Sequence, residues 1–345
     1  MNSDTPSPFP QNPTTVRGAE AGKTGVVVIG RNEGERLRRC LESLTTLHSQ
    51  TVYVDSGSTD GSVALGQKLG VIVLNLDMSV PFTAARARNA GFWKLLQIHP
   101  SLDYVFFVDG DCEVVSGWIG SAAAFLEQNP EVAVVFGYRR ERYPDASAYN
   151  RICDLEWQDI PVGESKVCGG DIVARVSAIK QVEGYRADMI CGEEPEMCVR
   201  LRQRGWRVWR IDANMTLHDA AMDRFGQWWR RSVRGGFGFA QGAHLHGTSP
   251  ERHWVAESRR AWKWGALIPG IILLLSVAVS WKMLALLAVY PLQTVRLALR
   301  GKHSGRENWL RAGALVLGNF PEMLGQLQFL RDRILRVRSR LIEYK

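Results

Sequence analysis

From Gly25 onward the chain alternates short continuous apolar runs with stretches in which leucines recur at helical spacing. GVVVIG is a run of β-branched residues closed by glycine, which suits a strand buried on both faces. RNEGERLRRCLESL follows as a helix, with Leu37, Leu41 and Leu44 on one face. The alternation then repeats: TVYVD as a strand, SGSTDGSVALGQKLG as turn and helix, VIVLNL as a strand, TAARARNAGFWKLLQ as a helix and DYVFFVDGD as a strand. Strands alternating with helices predict an α/β fold with a doubly wound, mainly parallel, Rossmann-like sheet. In such sheets ligands bind beyond the carboxyl ends of the strands, where Asn32, Asp55 and Asp109 all fall.

Residues 131–217 read as a mixed second half: EVAVVFGY as a strand, the glycine-bearing CGGDIVARVSAIKQV, EPEMCVRLRQRG as a helix and WRVWRID as the last strand. Past His218 the chain turns basic and aromatic and then apolar, from Gly265 to Ser280 and from Met283 to Leu292. Extended to Trp262 and Leu299, the two runs approach the length of membrane spans, as two crossings or one re-entrant hairpin over about 262–299. The tail 311–345 has apolar residues at helical spacing among arginines, the pattern of a helix lying in the membrane interface or packed on the domain. The domains expected are thus a disordered tail over 1–23, a catalytic domain over 24–250 and a membrane-associated helical region over 251–345.

Charge sharpens this division. Residues 1–199 carry 18 Lys/Arg against 26 Asp/Glu, a net of −8, whereas residues 200–345 carry 25 against 9, a net of +16. A basic part that also holds the longest apolar runs fits membrane lipids better than nucleic acid. Arg259, Arg260 and Lys263 precede the apolar pair and Arg296, Arg300 and Lys302 follow it, which puts both outer ends, and the catalytic domain, on the cytoplasmic side of the membrane. The six cysteines form no CxxC pair and are read as reduced thiols. The Pro-, Ser- and Thr-rich N-terminus has no apolar core of the length a secretory signal needs.

The chemistry centres on FFVDGDCEVV, where Asp109 and Asp111 stand two residues apart after a buried strand. Two hard carboxylates there suit Mg2+ or Mn2+, which completes its shell with diphosphate oxygens; the alternative is a tight turn. Asp55 closes TVYVD before SGSTDGS and has lone pairs for a base N–H, beside a helix cap from Ser56, Ser58 or Asp60. Arg86 and Arg88 are phosphate ligands or a solvated helix face.

The segments VVVIGRNEGERLRRCLESL, VDSGSTDGS, ARARNAGF, VDGD, CGGDIVARVSAIKQVEGY and GEEPEMCVRLRQRG resemble, in order and spacing, family 2 glycosyltransferases of the GT-A fold over roughly residues 24–240. The resemblance implies that Asn32, Glu33 and Asp55 line a nucleotide pocket, that Asp109 and Asp111 form the metal-binding DxD, and that Gly169 and Gly170 border the acceptor site. GEEPE matches the family's G-E-D-x-E, so Glu194 stands where the family has its catalytic Asp, with Glu193 in reserve. An inverting transfer needs such a carboxylate because the attacking hydroxyl must lose its proton; the alternative for Glu193, Glu194 and Glu196 is a solvated acidic helix start. His218 resembles a position that completes the metal or diphosphate site. Gln227 to Arg231, QWWRR, resembles the QxxRW motif of processive synthases with Arg231 in place of tryptophan, leaving Arg230 and Arg231 as diphosphate clamps or lipid-headgroup contacts.

The function expected is metal-dependent, inverting transfer from a nucleotide-sugar donor to a lipid-linked or growing saccharide acceptor, in cell-envelope or exopolysaccharide synthesis. A transferase acting on polyprenyl phosphate and a non-catalytic membrane-bound partner subunit are the alternatives, and a nucleotidyltransferase ranks last because no glycine-rich, lysine-bearing loop follows the first strand.

Overall fold

A computed structural model describes residues 23–337. The tail expected over 1–23, but for Lys23, and residues 338–345 of the expected C-terminal helix lie outside the described residues. The described chain falls into two compact units: 23–144 with Glu156–Asp188 and Glu193–Ala220, and Asp145–Leu155 with Met189–Gly192 and 221–337.

The first unit begins with β1 (Thr24–Gly30), α1 (Glu35–Glu42), β2 (Thr51–Asp55), α2 (Ser62–Lys68), β3 (Ile72–Asn75), α3 (Ala84–Ile98) and β4 (Tyr104–Asp109). These four strands are parallel, in the order β3-β2-β1-β4. Their side chains explain the arrangement, since Val26 to Val28, Val52 to Val54 and Val105 to Val108 are fully buried and need cover on both faces. Gly91 lets α3 lie against the sheet, because a Cβ there would strike Val27 and Val54. The chain leaves β1 toward β2 and returns on the other side as β4, and the crevice at that reversal opens at Gly30 and Asp109.

The sheet then changes character. Next come β5 (Cys112–Val114), α4 (Trp118–Gln128), β6 (Val132–Glu141), α5 (Ala148–Gln158), β7 (Gly163–Glu164), β8 (Ile172–Arg175), α6 (Val176–Gln181), α7 (Glu193–Gln203) and β9 (Arg207–His218). β8 runs antiparallel to both β4 and β6, β9 runs parallel to β6, and β5 and β7 add to β9 antiparallel. Among the described residues the sheet has nine strands, parallel in its first half and mixed beyond β4. β6 and β9 outrun their apolar stretches: their ladder continues through Arg139 to Glu141 and through Thr216 to His218, so backbone pairing carries charged side chains into the sheet's end.

The second unit contains α8 (Phe225–His246), α9 (Val255–Trp262), α10 (Ile268–Ala278), α11 (Val289–Leu299) and α12 (Gly305–Ile334). α8 and α12 pack at glycine positions, where a Cβ on Gly236 would meet the Glu322 carbonyl and one on Gly325 the Val233 carbonyl. Val255–Ala278, widened by a π turn at Lys263–Leu267, and Trp281–Leu299 are long and apolar enough to cross a membrane. Their apolar side chains face outward: Leu274 is 67% exposed, Val277 88% and Leu299 78%. An apolar surface of this extent on a water-soluble protein is unfavourable, which is why these helices are compatible with a membrane region.

Candidate active site

One wall of the crevice is two loops tied together. Asn32 adopts a left-handed conformation (φ 56°) after β1, and its N–H donates to Ser58 Oγ at 2.9 Å. In return its Oδ1 accepts the Thr59 N–H at 2.7 Å, and Gly34 N–H donates to Asp60 Oδ2 at 2.9 Å. Asp55 is buried; its Oδ2 accepts the N–H groups of Gly57 (3.0 Å) and Ser58 (2.8 Å), and its Oδ1 accepts the Tyr53 hydroxyl (2.8 Å). Three bonds shape this turn and leave lone-pair capacity on the carboxylate. Glu33 pairs with Arg36 at 2.8 Å, and Arg36 and Arg39 reach Asp219, fastening α1 to the end of β9.

The floor is a charge cluster around Arg88. Its Nη1 lies 2.7 Å from Glu193 Oε1 and 2.9 Å from Glu194 Oε1, and its Nη2 lies 2.8 Å from Asp109 Oδ1. Arg88 is buried, so it is neither a solvated helix face nor a group directed at solvent phosphate; its fork joins the DGD segment to the first turn of α7. Asp109 is held from the other side by Arg139 at 3.3 Å. Burial raises the Asp109 carboxyl, but Arg88 and then Arg139 outweigh it and hold it below the usual range. Glu194 responds oppositely: burial first, then Glu193, push it up to about 7 against the opposing pull of Arg88. Glu194 is also the more accessible of the pair, with 13% of its side chain exposed against 3% for Glu193. Glu196 stands apart, buried and bound by Arg200 at 2.7 Å.

Gly170 borders this cluster. A Cβ there would lie 2.6 Å from Arg88 Nη2, 2.9 Å from Asp109 Oδ2 and 3.3 Å from Glu194 Oε1, whereas a Cβ on Gly169 would meet nothing within 4 Å. Gly170 therefore keeps open the space over the carboxylates.

The two aspartates of DGD serve different neighbourhoods because the turn at Gly110 carries the chain from β4 to β5. Asp111 faces His218, with Oδ2 at 3.4 Å from Nε2. The juxtaposition follows from the ladder, in which Cys112 on β5 and Glu141 on β6 both pair with His218 on the strand between them. Asp111, Cys112 and His218 present ligand atoms within 4.8 Å of one another, as do Asp109, Cys112 and Asp171. The second group already holds a cation, since Arg139 lies 3.3 Å from Asp109, 3.1 Å from Cys112 Sγ and 3.5 Å from Asp171. Cys112 offers a soft sulfur, which suits Mg2+ or Mn2+ less well than hard oxygen donors do. The donors that fit a divalent ion are thus a carboxylate oxygen of Asp111 and the imidazole of His218.

The remaining expected residues fall elsewhere. Arg86 donates to the carbonyls of Asp77, Val80 and Pro81 and braces that loop. Gln227, Arg230 and Arg231 lie on α8 in the second unit, where the Gln227 side chain accepts from the N–H groups of Asp223 and Arg224 and caps the helix. Arg139, Glu141, Asp171 and Trp157 were not expected. Arg139 stacks 5.0 Å over the Trp157 ring, which packs edge-on against His218 at 4.7 Å; Asp171 accepts from Asp109 N–H and Thr216 Oγ1. The signal available for Glu141 and Asp171 was a carboxylate at the edge of an apolar run, a pattern shared with many solvated strand ends.

Residues 25–181 match the family model described as glycosyl transferase family 2. A pre-mycofactocin glycosyltransferase of Mycobacterium tuberculosis is 30% identical over 207 residues, covering 56% of this chain and 42% of its own length. The succinoglycan biosynthesis protein ExoA of Rhizobium meliloti is 25% identical over 207 residues, covering 54% of this chain and 60% of its own. The chain therefore spans less than two thirds of either relative. Among solved structures, the mannosyltransferase PcManGT of Pyrobaculum calidifontis, in complex with GDP-Man and Mn2+, has a TM-score of 0.61 at 17% identity, covering 90% of this chain and 88% of that one. Residues 25–181 therefore carry the match to glycosyl transferase family 2, and the chain has the GT-A fold.

Proposed function

We propose that this chain transfers a sugar, with inversion, from a nucleotide diphosphate donor to a lipid-linked or growing saccharide acceptor at the cytoplasmic face of a membrane. The observation that carries the reading is that the DGD turn sets Asp111 beside His218 while Asp109 and Gly170 lie beside Glu194, a carboxylate raised to about 7. A divalent ion, Mg2+ or Mn2+, bound by Asp111 and His218 would offset the charge of the leaving diphosphate. Asp55 and Asn32 hold the nucleotide end, with the 57–59 turn presenting the donor pocket. Glu194 accepts the proton of the attacking acceptor hydroxyl, and Arg88 keeps its carboxylate aimed beside Asp109. Support for the membrane setting comes from the two apolar helical stretches and the net charge of +16 over residues 200–345.

The test is a set of thermal melts of the detergent-purified chain against UDP- and GDP-sugars, with and without Mn2+. One nucleotide sugar should raise Tm only with metal and not in Asp111→Ala, and full ligand response in that variant would sink the metal assignment. Glu194→Gln should bind the donor and fail to transfer. Retained transfer in Glu194→Gln would point to an acceptor that is already an anion, such as a polyprenyl phosphate.

A further inference from the structure

His218 presents its two ring nitrogens to two different carboxylates, and only one of these belongs to the DGD segment. Nε2 points to Asp111 Oδ2 at 3.4 Å, and Nδ1 lies 3.2 Å from Glu141 Oε2. Glu141 is the last residue of β6, fully buried, and directly opposite His218 in the β6–β9 ladder. The rest of its carboxylate is spoken for as an acceptor: Oε2 takes the Ala220 N–H at 3.1 Å and Oε1 takes the Tyr143 N–H at 3.3 Å. A divalent ion taken by Nε2 requires the ring proton on Nδ1, and Glu141 Oε2 is the acceptor placed to receive it. Trp157, edge-on to the imidazole at 4.7 Å, closes the remaining side and restricts ring rotation.

We infer that Glu141 is a positioning residue of the metal site, fixing the tautomer and orientation of His218 so that Nε2 is available to a divalent ion shared with Asp111. This rests on the reading of Asp111 and His218 as metal-holding residues. The physical basis is general: a ligating histidine whose other nitrogen donates to a carboxylate is both oriented and made a better donor, and loss of that partner weakens metal binding by about 10–100-fold. Glutamine cannot substitute fully, because its amide must turn an NH2 either toward His218 Nδ1 or toward the Tyr143 N–H, and each already calls for an acceptor.

The experiment is a Mn2+ titration, with free Mn2+ read by electron paramagnetic resonance, on the full detergent-purified chain as wild type, Glu141→Gln and Asp111→Ala. Alongside it, the His218 tautomer of the metal-free wild type is read from 15N-histidine NMR and assigned with His218→Gln. The expected result is Mn2+ affinity about 10–100-fold weaker in Glu141→Gln, loss of binding in Asp111→Ala and a His218 resonance protonated at Nδ1. Equal Mn2+ affinity in wild type and Glu141→Gln, with loss in Asp111→Ala, would overturn the role of Glu141 and leave the metal site standing. No Mn2+ binding by the wild type would overturn the metal site and this inference together. If Glu141→Gln fails to fold, the wild-type ring decides, and a His218 whose Nδ1 carries no proton overturns the inference.

Discussion

At the scale of single residues, Arg88 organises the floor of the crevice. It is one cation among three carboxylates, and burial makes each of those contacts matter more than it would at the surface. Arg88→Gln leaves Glu193 and Glu194 without that counter-charge and Asp109 with Arg139 alone. The expected loss is about 3–5 kcal/mol of stability, read from denaturant melts at neutral pH. Glu194 supplies a pH dependence whose sign is fixed. Its carboxyl is raised to about 7, and a base acts only when deprotonated, so transfer at saturating donor should rise with pH through about 7 and level off above it. In Glu194→Gln the limb should vanish and the rate fall by roughly 10²–10⁴. A wild-type rate that is flat between acid and neutral pH would remove Glu194 from the role. Gly170→Ala tests the opening itself, since its new methyl group lies within 3 Å of Arg88 and Asp109. Both side-chain ends must shift to admit it, and a misplacement of about 1 Å at a reacting centre costs on the order of 10²-fold in rate, so transfer should fall far more than the thermal melt does.

At the scale of elements, the strands and helices of the first unit were legible because each buries a simple pattern. The continuous apolar runs of β1, β2 and β4 and the spaced leucines of α1 leave little choice of structure. Less legible were the ends of β6 and β9, expected over 131–138 and 206–212 and found to run to Glu141 and His218. Apolar periodicity stops there, but the backbone ladder does not, and the site is built on that stretch. In the second unit the close approach of α8 and α12 depends on Gly236 and Gly325. Gly236→Val or Gly325→Val must push backbone carbonyls aside, and each should cost about 1–3 kcal/mol by overpacking, measurable as a lower melting temperature in detergent. A melt unchanged in both variants would mean that the glycines are not what sets this contact.

At the scale of the whole molecule, the two apolar helical stretches and the basic C-terminal part lead to one expectation about place. The full chain should remain with the membrane pellet through high salt and alkaline carbonate, because spanning helices are held by the hydrophobic effect rather than by charge. Release by carbonate would mean surface attachment only. The sequence by itself determined the class of fold and the chemistry at hand: apolar runs dictate buried strands, helical spacing dictates their cover, and Asp109, Asp111, Glu193, Glu194 and His218 are recognisable as acids and a base. It also marked off the basic, apolar C-terminal part, since composition is a local property. Only the tertiary structure decided how those groups divide the work. Arg88 became an internal counter-ion because α3 delivers it to the first turn of α7, and Asp109 was drawn to it and to Arg139. Asp111 was parted from Asp109 and set beside His218 and Glu141 because β5, β9 and β6 are neighbours in the sheet. Residues 30 and 107 positions apart in the chain meet there through strand pairing, and pairing partners across such distances leave no mark in local sequence.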